Sequence, residues 1–355
     1  QKPEADAGYF ELIEGPLTDG DAASGNTNLV ADVDDVLLFT TRGNGAGFVG
    51  KMNTSSIESD AAEVAWFCVQ QPDLVDGMNL YSLHRRQLLV VGYVGMSDFQ
   101  QKKNTMGDGI QQNMPAIYQN YDLSLRFDMV ADPGHSPNPG PILLANALSD
   151  LTKRENRFLH RYDSGRNSSM PYQIPVDQLT TNRVFPYDLN LVRLRGNPVN
   201  VSNPPWPWGS DAVLTGDRAG EDVVIRNVLA FDVRVFDPEQ PAVGYVDLGN
   251  ASASTRLAGT MEQRSRLAGN PTYCTWSYHY EFNGLDEDQS LGGWRVGVDQ
   301  GANLVDDNSN GAVDDSLELE TMPPYNVPLR GIEIRLRCYE PQGKQIRQVT
   351  VRHAF

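Results

Sequence analysis

The C-terminal stretch Val327-Pro-Leu-Arg-Gly-Ile-Glu-Ile-Arg-Leu-Arg-Cys-Tyr-Glu-Pro-Gln-Gly-Lys-Gln-Ile-Arg-Gln-Val-Thr-Val-Arg-His-Ala-Phe355 decides the fold class. Ile332, Ile334, Leu336 and Cys338 alternate with Glu333, Arg335, Arg337 and Tyr339. That period of two gives a strand with one apolar face and one charged face. Glu340-Pro-Gln-Gly-Lys344 supplies a turn, because Pro presets φ and Gly tolerates a positive φ. Gln345 to Val351 returns as the second strand of a β-hairpin. Ile346 is out of phase with Val349 and Val351, which predicts a bulge in the return strand.

Working back from the hairpin, further strand patterns appear. Glu221 to Pro238 is the strongest, stopped by Pro238: Leu229, Phe231, Val233 and Val235 share one phase, with Asp232 and Arg234 in the other. Shorter strands are predicted at Ala7–Glu14, Asp34–Arg42, Glu63–Gln70, Leu80–Arg86, Gln87–Gly92 and Tyr121–Val130, with an aromatic one at Thr272–Phe282. Asp34–Arg42 is apolar enough to be buried on both faces. Gly43–Gly47 lacks the helix and Lys of a phosphate loop and is a turn. Asn146–Leu159 is the best helix candidate, with Leu148, Leu151, Phe158 and Leu159 near helical spacing and Ser149 or Asp150 available as a cap. The predicted fold is α+β, mainly β: an antiparallel sheet with long loop insertions. It divides into a first β-rich part (1–95), a loop-rich insertion with one helix (96–221), and a second β part (222–355) holding an acidic loop and the closing hairpin.

The chain has 355 residues and a formal net charge of -17. Such acidity disfavours nucleic acid and anionic membrane surfaces, which need clustered Lys and Arg; it serves solubility and is compatible with divalent cations. Its three cysteines, Cys68, Cys274 and Cys338, form no CxxC pair, so zinc and redox motifs are absent. Cys68 and Cys338 sit at apolar strand phases, which predicts buried free thiols; spacing alone pairs no two of the three. The five histidines are scattered without HxH or HExxH spacing. No GxSxG or Cys/His nucleophile signature occurs, so the expectation is a protein that is not an enzyme. Gln1 is a poor start for a nascent chain, which predicts a processed or truncated product whose upstream part held a signal or an anchor.

The most specific motif is Asp306-Asp-Asn-Ser-Asn-Gly-Ala-Val-Asp-Asp315. Calcium takes several hard oxygens, and alternate residues of a tight loop can wrap them around one ion. With Asp306 at position 1, Asn308 falls at 3, Asn310 at 5, Gly311 at 6, Ala312 offers its carbonyl at 7, and Asp314 falls at 9. Position 12 is Leu317, with Glu318 one residue late. The predicted calcium set is therefore Asp306, Asn308, Asn310, Ala312, Asp314 and Glu318, to which Asp286-Glu-Asp288 is a further source of carboxylate. Trp206-Pro-Trp208 and Tyr278-His-Tyr280 are aromatic pairs able either to stack on sugars or to pack loops onto the sheet.

Three strand motifs, in order, resemble the minor pseudopilin J family of type II secretion systems, in the long prepilin-type form of planctomycete-like bacteria. The first is Ala62-Glu-Val-Ala-Trp-Phe followed by Leu80-Tyr-Ser-Leu-His-Arg-Arg86. The second is Val224-Ile-Arg-Asn-Val-Leu-Ala-Phe-Asp-Val-Arg-Val-Phe-Asp237. The third is Val327-Pro-Leu-Arg-Gly-Ile-Glu-Ile-Arg-Leu-Arg through Arg347-Gln-Val-Thr-Val351. This resemblance implies a pilin-like β head, periplasmic or at the cell surface, anchored in the inner membrane by an N-terminal helix that this chain lacks. It implies a non-catalytic structural subunit of a pseudopilus, with other pilin-like subunits as partners, no nucleic acid, and calcium stabilising loops of the head. A secreted calcium-dependent carbohydrate-binding module is the alternative from the residues alone. A glycoside hydrolase rests only on the abundance of carboxylates.

Overall fold

The computed structural model describes residues 8–13, 32–33, 35–92, 114–128, 142–152, 156–158, 213–236, 244–248, 272–275, 305–306, 309–313 and 329–355. The period-two stretches pair into one antiparallel sheet of nine strands. In chain order its strands are β1 (Phe10–Ile13), β2 (Val36–Arg42), β5 (Ala61–Gln70), β6 (Tyr81–Leu89), β9 (Val223–Phe236), β10 (Tyr245–Val246), β11 (Thr272–Cys274), β12 (Gly331–Glu340) and β13 (Gln345–Ala354). Across the sheet they run β11, β1, β2, β5, β6, β9, β12, β13, with β10 beside β9. Two small hairpins, β3 (Phe48–Met52) with β4 (Ser55–Ser59) and β7 (Leu125–Asp128) with β8 (Ile142–Ala145), stand outside it. The fold is mainly antiparallel β. Among the described residues the only α-helix is α1 (Met114–Asn120).

The closing hairpin forms as its alternation predicts. Gly331 to Glu340 pairs with Ala354 to Gln345 without a break. The expected bulge at Ile346 is therefore absent: Ile346 lies opposite Tyr339 in a regular ladder. The irregularity falls on the other side of β12, where the register to β9 shifts between Arg337 and Cys338. Asn227 of β9, beside the register shift to β6 between Tyr81 and Leu83, has φ 60, a left-handed conformation that Asn tolerates. In the hairpin turn the left-handed residue is Lys344, φ 50, instead of Gly343. Leu80–Arg86 and Gln87–Gly92, expected as separate strands, join into the single β6.

Each face of the sheet carries its own core. On one face Val36, Leu38, Ala65, Phe67 and Leu88 pack against Ile117 and Tyr118 of α1 and against Leu123, Leu151 and Phe158. On the other, Leu12, Cys68, Leu83, Phe231, Val233 and Val235 form a second cluster, flanked by Trp66, Ile334, Leu336 and Cys338. Cys68 is buried, and Cys338 is half-buried with a free thiol. At one corner the ends of the sheet meet: the Tyr273 hydroxyl accepts the Leu329 N–H at 3.0 Å, and the Phe10 and Phe355 rings lie 5.7 Å apart.

Asn146–Leu159 is not an α-helix where it is described; Asp150–Thr152 winds into a 3-10 turn. Short polar side chains take the backbone groups that a helix would use. Asp150 Oδ2 accepts the Ala147 N–H (2.8 Å), and Asn146 Nδ2 donates to the Asn156 carbonyl (2.8 Å). The segment docks instead through a buried polar network. Glu63 accepts bonds from the Tyr9 hydroxyl (2.6 Å), the Ser124 hydroxyl (2.5 Å) and the Phe158 N–H (2.8 Å). Arg157 donates to Glu11 Oε2 at 2.7 Å, both side chains being fully buried, and its guanidinium lies 4.0 Å over the Tyr9 ring. Burial, then the charge of Glu63, pushes the Tyr9 hydroxyl well above its ordinary pKa, so it stays a donor.

On the charged phase of β9, β12 and β13, Arg234, Glu333 and Arg352 stand side by side in register. Glu333 is fully buried and accepts from Arg335 Nε (2.7 Å) and Arg352 Nε (2.5 Å). Burial pushes its carboxyl up, but the hydrogen bond from Arg352 and the charges of Arg335 and Arg352 outweigh it and hold the group below its ordinary range.

Two outcomes follow from these networks. Arg157→Met, which strands Glu11, is expected to cost about 3–5 kcal/mol in urea denaturation. Arg157→Met combined with Glu11→Leu should recover most of that loss, and a double variant no more stable than the single one would contradict the pairing. A carboxyl depressed on folding stabilises above its unfolded pKa of about 4.3 and loses that contribution as pH falls through the folded value. Glu333→Gln should accordingly lower Tm at pH 7, with the difference from wild type closing below about pH 4; a pH-independent difference would refute the assignment.

Candidate metal centre

β9 is fourteen residues long and outruns β6, whose last pairing with it is Tyr81 with Val228. Further along the same strand, β10 pairs at Val235 and Phe236. Between the two, β9 needs other acceptors for its N–H groups. The segment preceding β2 supplies them. The Phe231 N–H donates to the Asp32 carbonyl (2.7 Å) and the Val233 N–H to Asp35 Oδ2 (2.6 Å).

This docking sets the carboxylates of Asp32 and Asp35 beside that of Asp232. One oxygen from each lies within 4.8 Å of the others, and relative exposures are 0%, 0% and 1%. Asp232 is the register neighbour of Arg335, whose Nη1 approaches its Oδ2 at 3.8 Å. Carboxylates so close and so buried repel one another unless a cation or protons divide the charge among them. The donor set is all hard oxygen, with no thiolate or imidazole. It suits Ca2+, Mg2+ or Mn2+ and not zinc or copper. The group can hold a metal ion.

The predicted calcium loop lies elsewhere. Of its six ligands, Asp306, Asn310 and Ala312 are described, while Asn308, Asp314 and Glu318 lie outside the described residues. Asp306 and Asn310 come together in one tight turn. Asp306 accepts the N–H groups of Asn310 (3.0 Å) and Gly311 (2.8 Å), and Asn310 Oδ1 accepts the N–H of Ala312 (2.8 Å). Gly311 has φ +95, the left-handed conformation expected of Gly at that point of such a loop. Asp286–Asp288, the Trp206 and Trp208 pair, and the Tyr278 and Tyr280 pair also lie outside the described residues.

Sequence reading missed Asp32, Asp35 and Asp232. Asp232 was visible only as the polar phase of a strand, and Asp35 is 198 positions from its β9 partner Val233. The one local signal is a pair of Asp residues just before a buried strand, which is common in loops.

Comparison with protein-family models, with curated proteins and with solved structures finds no match.

Chelator-treated protein is expected to gain thermal stability when Ca2+ or Mn2+ is added, by about 2.7 kcal/mol at a hundredfold excess over Kd. Asp232→Asn should invert in sign with the ion. It lowers Tm in saturating cation by losing a ligand, and raises it in chelator by removing one of three like charges. A melt unmoved by cation in both proteins would overturn the assignment. Asp306→Ala, outside the cluster, separates the loop's share of any response.

Proposed function

We propose that this chain is the β head of a pilin-like assembly subunit of the minor pseudopilin type, a structural protein without catalytic residues. The observation that carries the reading is the placement of the three resembling stretches. The first supplies β5 and β6, the second β9, and the third β12 and β13. These are consecutive neighbours in one sheet, in the order β5, β6, β9, β12, β13. Motifs scattered along the sequence thus form one contiguous structural unit, as expected if they descend together as a head domain. The mainly antiparallel architecture agrees with it. None of the described helices is long and apolar enough to cross a membrane; the anchoring helix of this reading is what the resemblance implies.

Calcium is the ion this reading implies. Its first place is the Asp306 loop, where Asp306 and Asn310 already share a turn. The Asp32, Asp35 and Asp232 cluster is a second oxygen set in the same head. In both places the ion's role is to fix a connection against the sheet, not to activate water.

The test is the encoding gene and its full-length product. A short basic leader, then an apolar helix of about 20 residues with Glu near its start, is expected just upstream of Gln1. The full-length protein should fractionate with the inner membrane and co-purify with other pilin-like subunits. A cleavable signal peptide with no apolar helix behind it, or a membrane-free protein without such partners, would end this reading.

A further inference from the structure

The edge of the sheet at β13 is built unlike the protected edges of most sheets. No described strand lies beyond β13. All ten of its residues are exposed, and all ten are held in unbroken register by β12. At about 3.4 Å per residue this is a straight template on the order of 34 Å long. It contains no Pro, no Gly and no bulge, three of the devices that blunt an edge.

Its side chains differ from the rest of the molecule. From Lys344 to Phe355 there is no acidic residue, while Lys344, Arg347 and Arg352 are basic, in a chain of net charge -17. Arg347 and Arg352 contact Glu340 and Glu333 but keep 71% and 65% of their side chains in solvent. Each guanidinium has five N–H donors, more than one carboxylate uses. Apolar groups interleave with these charges. Val349 and Val351 lie opposite Leu336 and Ile334 and so extend the apolar face that carries Val233 and Phe231. They are 59% and 56% exposed. Of the nine exposed large hydrophobic residues among the described residues, four (Ile346, Val349, Val351 and Phe355) lie in this last stretch. Only its final residue turns away, where Phe355 meets Phe10.

We propose that the outer edge of β13 is a strand-addition site, and that its occupant is an acidic extended segment of a partner chain. Main-chain hydrogen bonds would continue the ladder, as an added strand does at other sheet edges. A Glu or Asp opposite Arg347 on the apolar face and another opposite Arg352 on the charged face would meet the two arginines, and β-branched residues opposite Val349 and Val351 would cover them. Charge decides the occupant: a second copy brings the same basic edge, with no carboxylate between Lys344 and Phe355 to face it. Arg and Lys on an edge also keep like edges apart, so the same residues that exclude self-pairing select an acidic strand. The site is argued from the edge alone and stands apart from the pilin-like reading.

The probe is a fluorescein-labelled ten-residue peptide with two Glu five positions apart, to face Arg347 and Arg352, and Val and Thr elsewhere, titrated with the whole chain in fluorescence anisotropy. Binding is expected, weakening at least tenfold for Arg347→Glu and at least tenfold for a peptide with Lys in place of Glu. Hydrogen exchange should show new protection of β13 amides in the complex. Arg347 is mostly exposed, so a thermal melt of Arg347→Glu serves as the check that its fold is intact. Absence of binding at millimolar peptide, binding indifferent to Arg347→Glu, or binding without protection of β13 amides would each overturn the proposal. So would a concentration-dependent dimer in sedimentation whose β13 amides become protected, since that assigns the edge to a second copy.

Discussion

The structure depends on one mismatch of strand lengths. β9 has fourteen residues, β6 has nine and β12 has ten, so the central strand cannot be paired along its whole length by its neighbours. Buried N–H groups left without acceptors would cost about as much as lost hydrogen bonds, and a strand at the centre of a sheet has no water to turn to. The chain meets this in series along one side of β9: β6 as far as Val228, then the Asp32 carbonyl and the Asp35 carboxylate at Phe231 and Val233, then β10 at Val235 and Phe236. A side-chain carboxylate standing in for a strand carbonyl is what brings Asp35 into the interior, and Asp232 is there because its strand is. The acidic cluster is thus first a consequence of closing the sheet. Whatever ion it holds acts on the same seam that secures the central strand.

The buried acids of this protein fall into three solutions of one problem, the cost of taking a carboxylate out of water. Glu63 is surrounded by neutral donors, the hydroxyls of Tyr9 and Ser124 and a backbone N–H. Glu11 and Glu333 are matched by arginines, Glu11 by one side chain at full burial and Glu333 by Arg335 and Arg352 across the ladder. Asp32, Asp35 and Asp232 are grouped with one another in addition to the Val233 N–H on Asp35 and Arg335 beside Asp232. Donors and arginines hold a carboxylate in place without a ligand; only grouping concentrates like charge at one point. That difference in arrangement, more than the number of acidic residues, separates a candidate cation site from the structural carboxylates around it.

Strand identity was legible because the period-two alternation of Ile332 to Cys338 and of Leu229 to Val235 is set by which face is buried, a property local to each strand. The neighbour relations were not legible, since β1 pairs with β11 and β6 with β9 across long stretches of chain. Asn146 to Leu159 misled because Leu151 and Phe158 are indeed buried, as a helix pattern requires. What the pattern could not show is that Asp150 and Asn146 would satisfy the local backbone with their side chains, removing the reason to wind. The Asp306 loop was legible as a turn because Gly311 and its acidic neighbours act within five residues. The cluster at Asp232 was not, because its members meet only after two distant segments dock.

The same length mismatch shapes the two ends of the sheet differently. On one side the strands shorten steadily, from seven residues in β2 to four in β1 and three in β11, so that end offers little for another strand to follow. On the other side β9 pairs with seven residues of β12, Ile332 to Cys338, and β12 pairs with ten of β13, so the edge strand is as long as the strand that holds it. Positive charge follows the same direction, since Arg335 and Arg337 on β12 and Arg347 and Arg352 on β13 are set against an otherwise acidic chain. Part of that charge is spent within the sheet on Glu333 and Glu340, which is why the edge strand is ordered although nearly all of it is in solvent. The remainder faces outward. A long, regular, basic edge is therefore not an isolated decoration of this fold. It follows from a central strand that β6 pairs only as far as Val228 on one side, and that on the other holds β12, which in turn pairs along its whole length with β13.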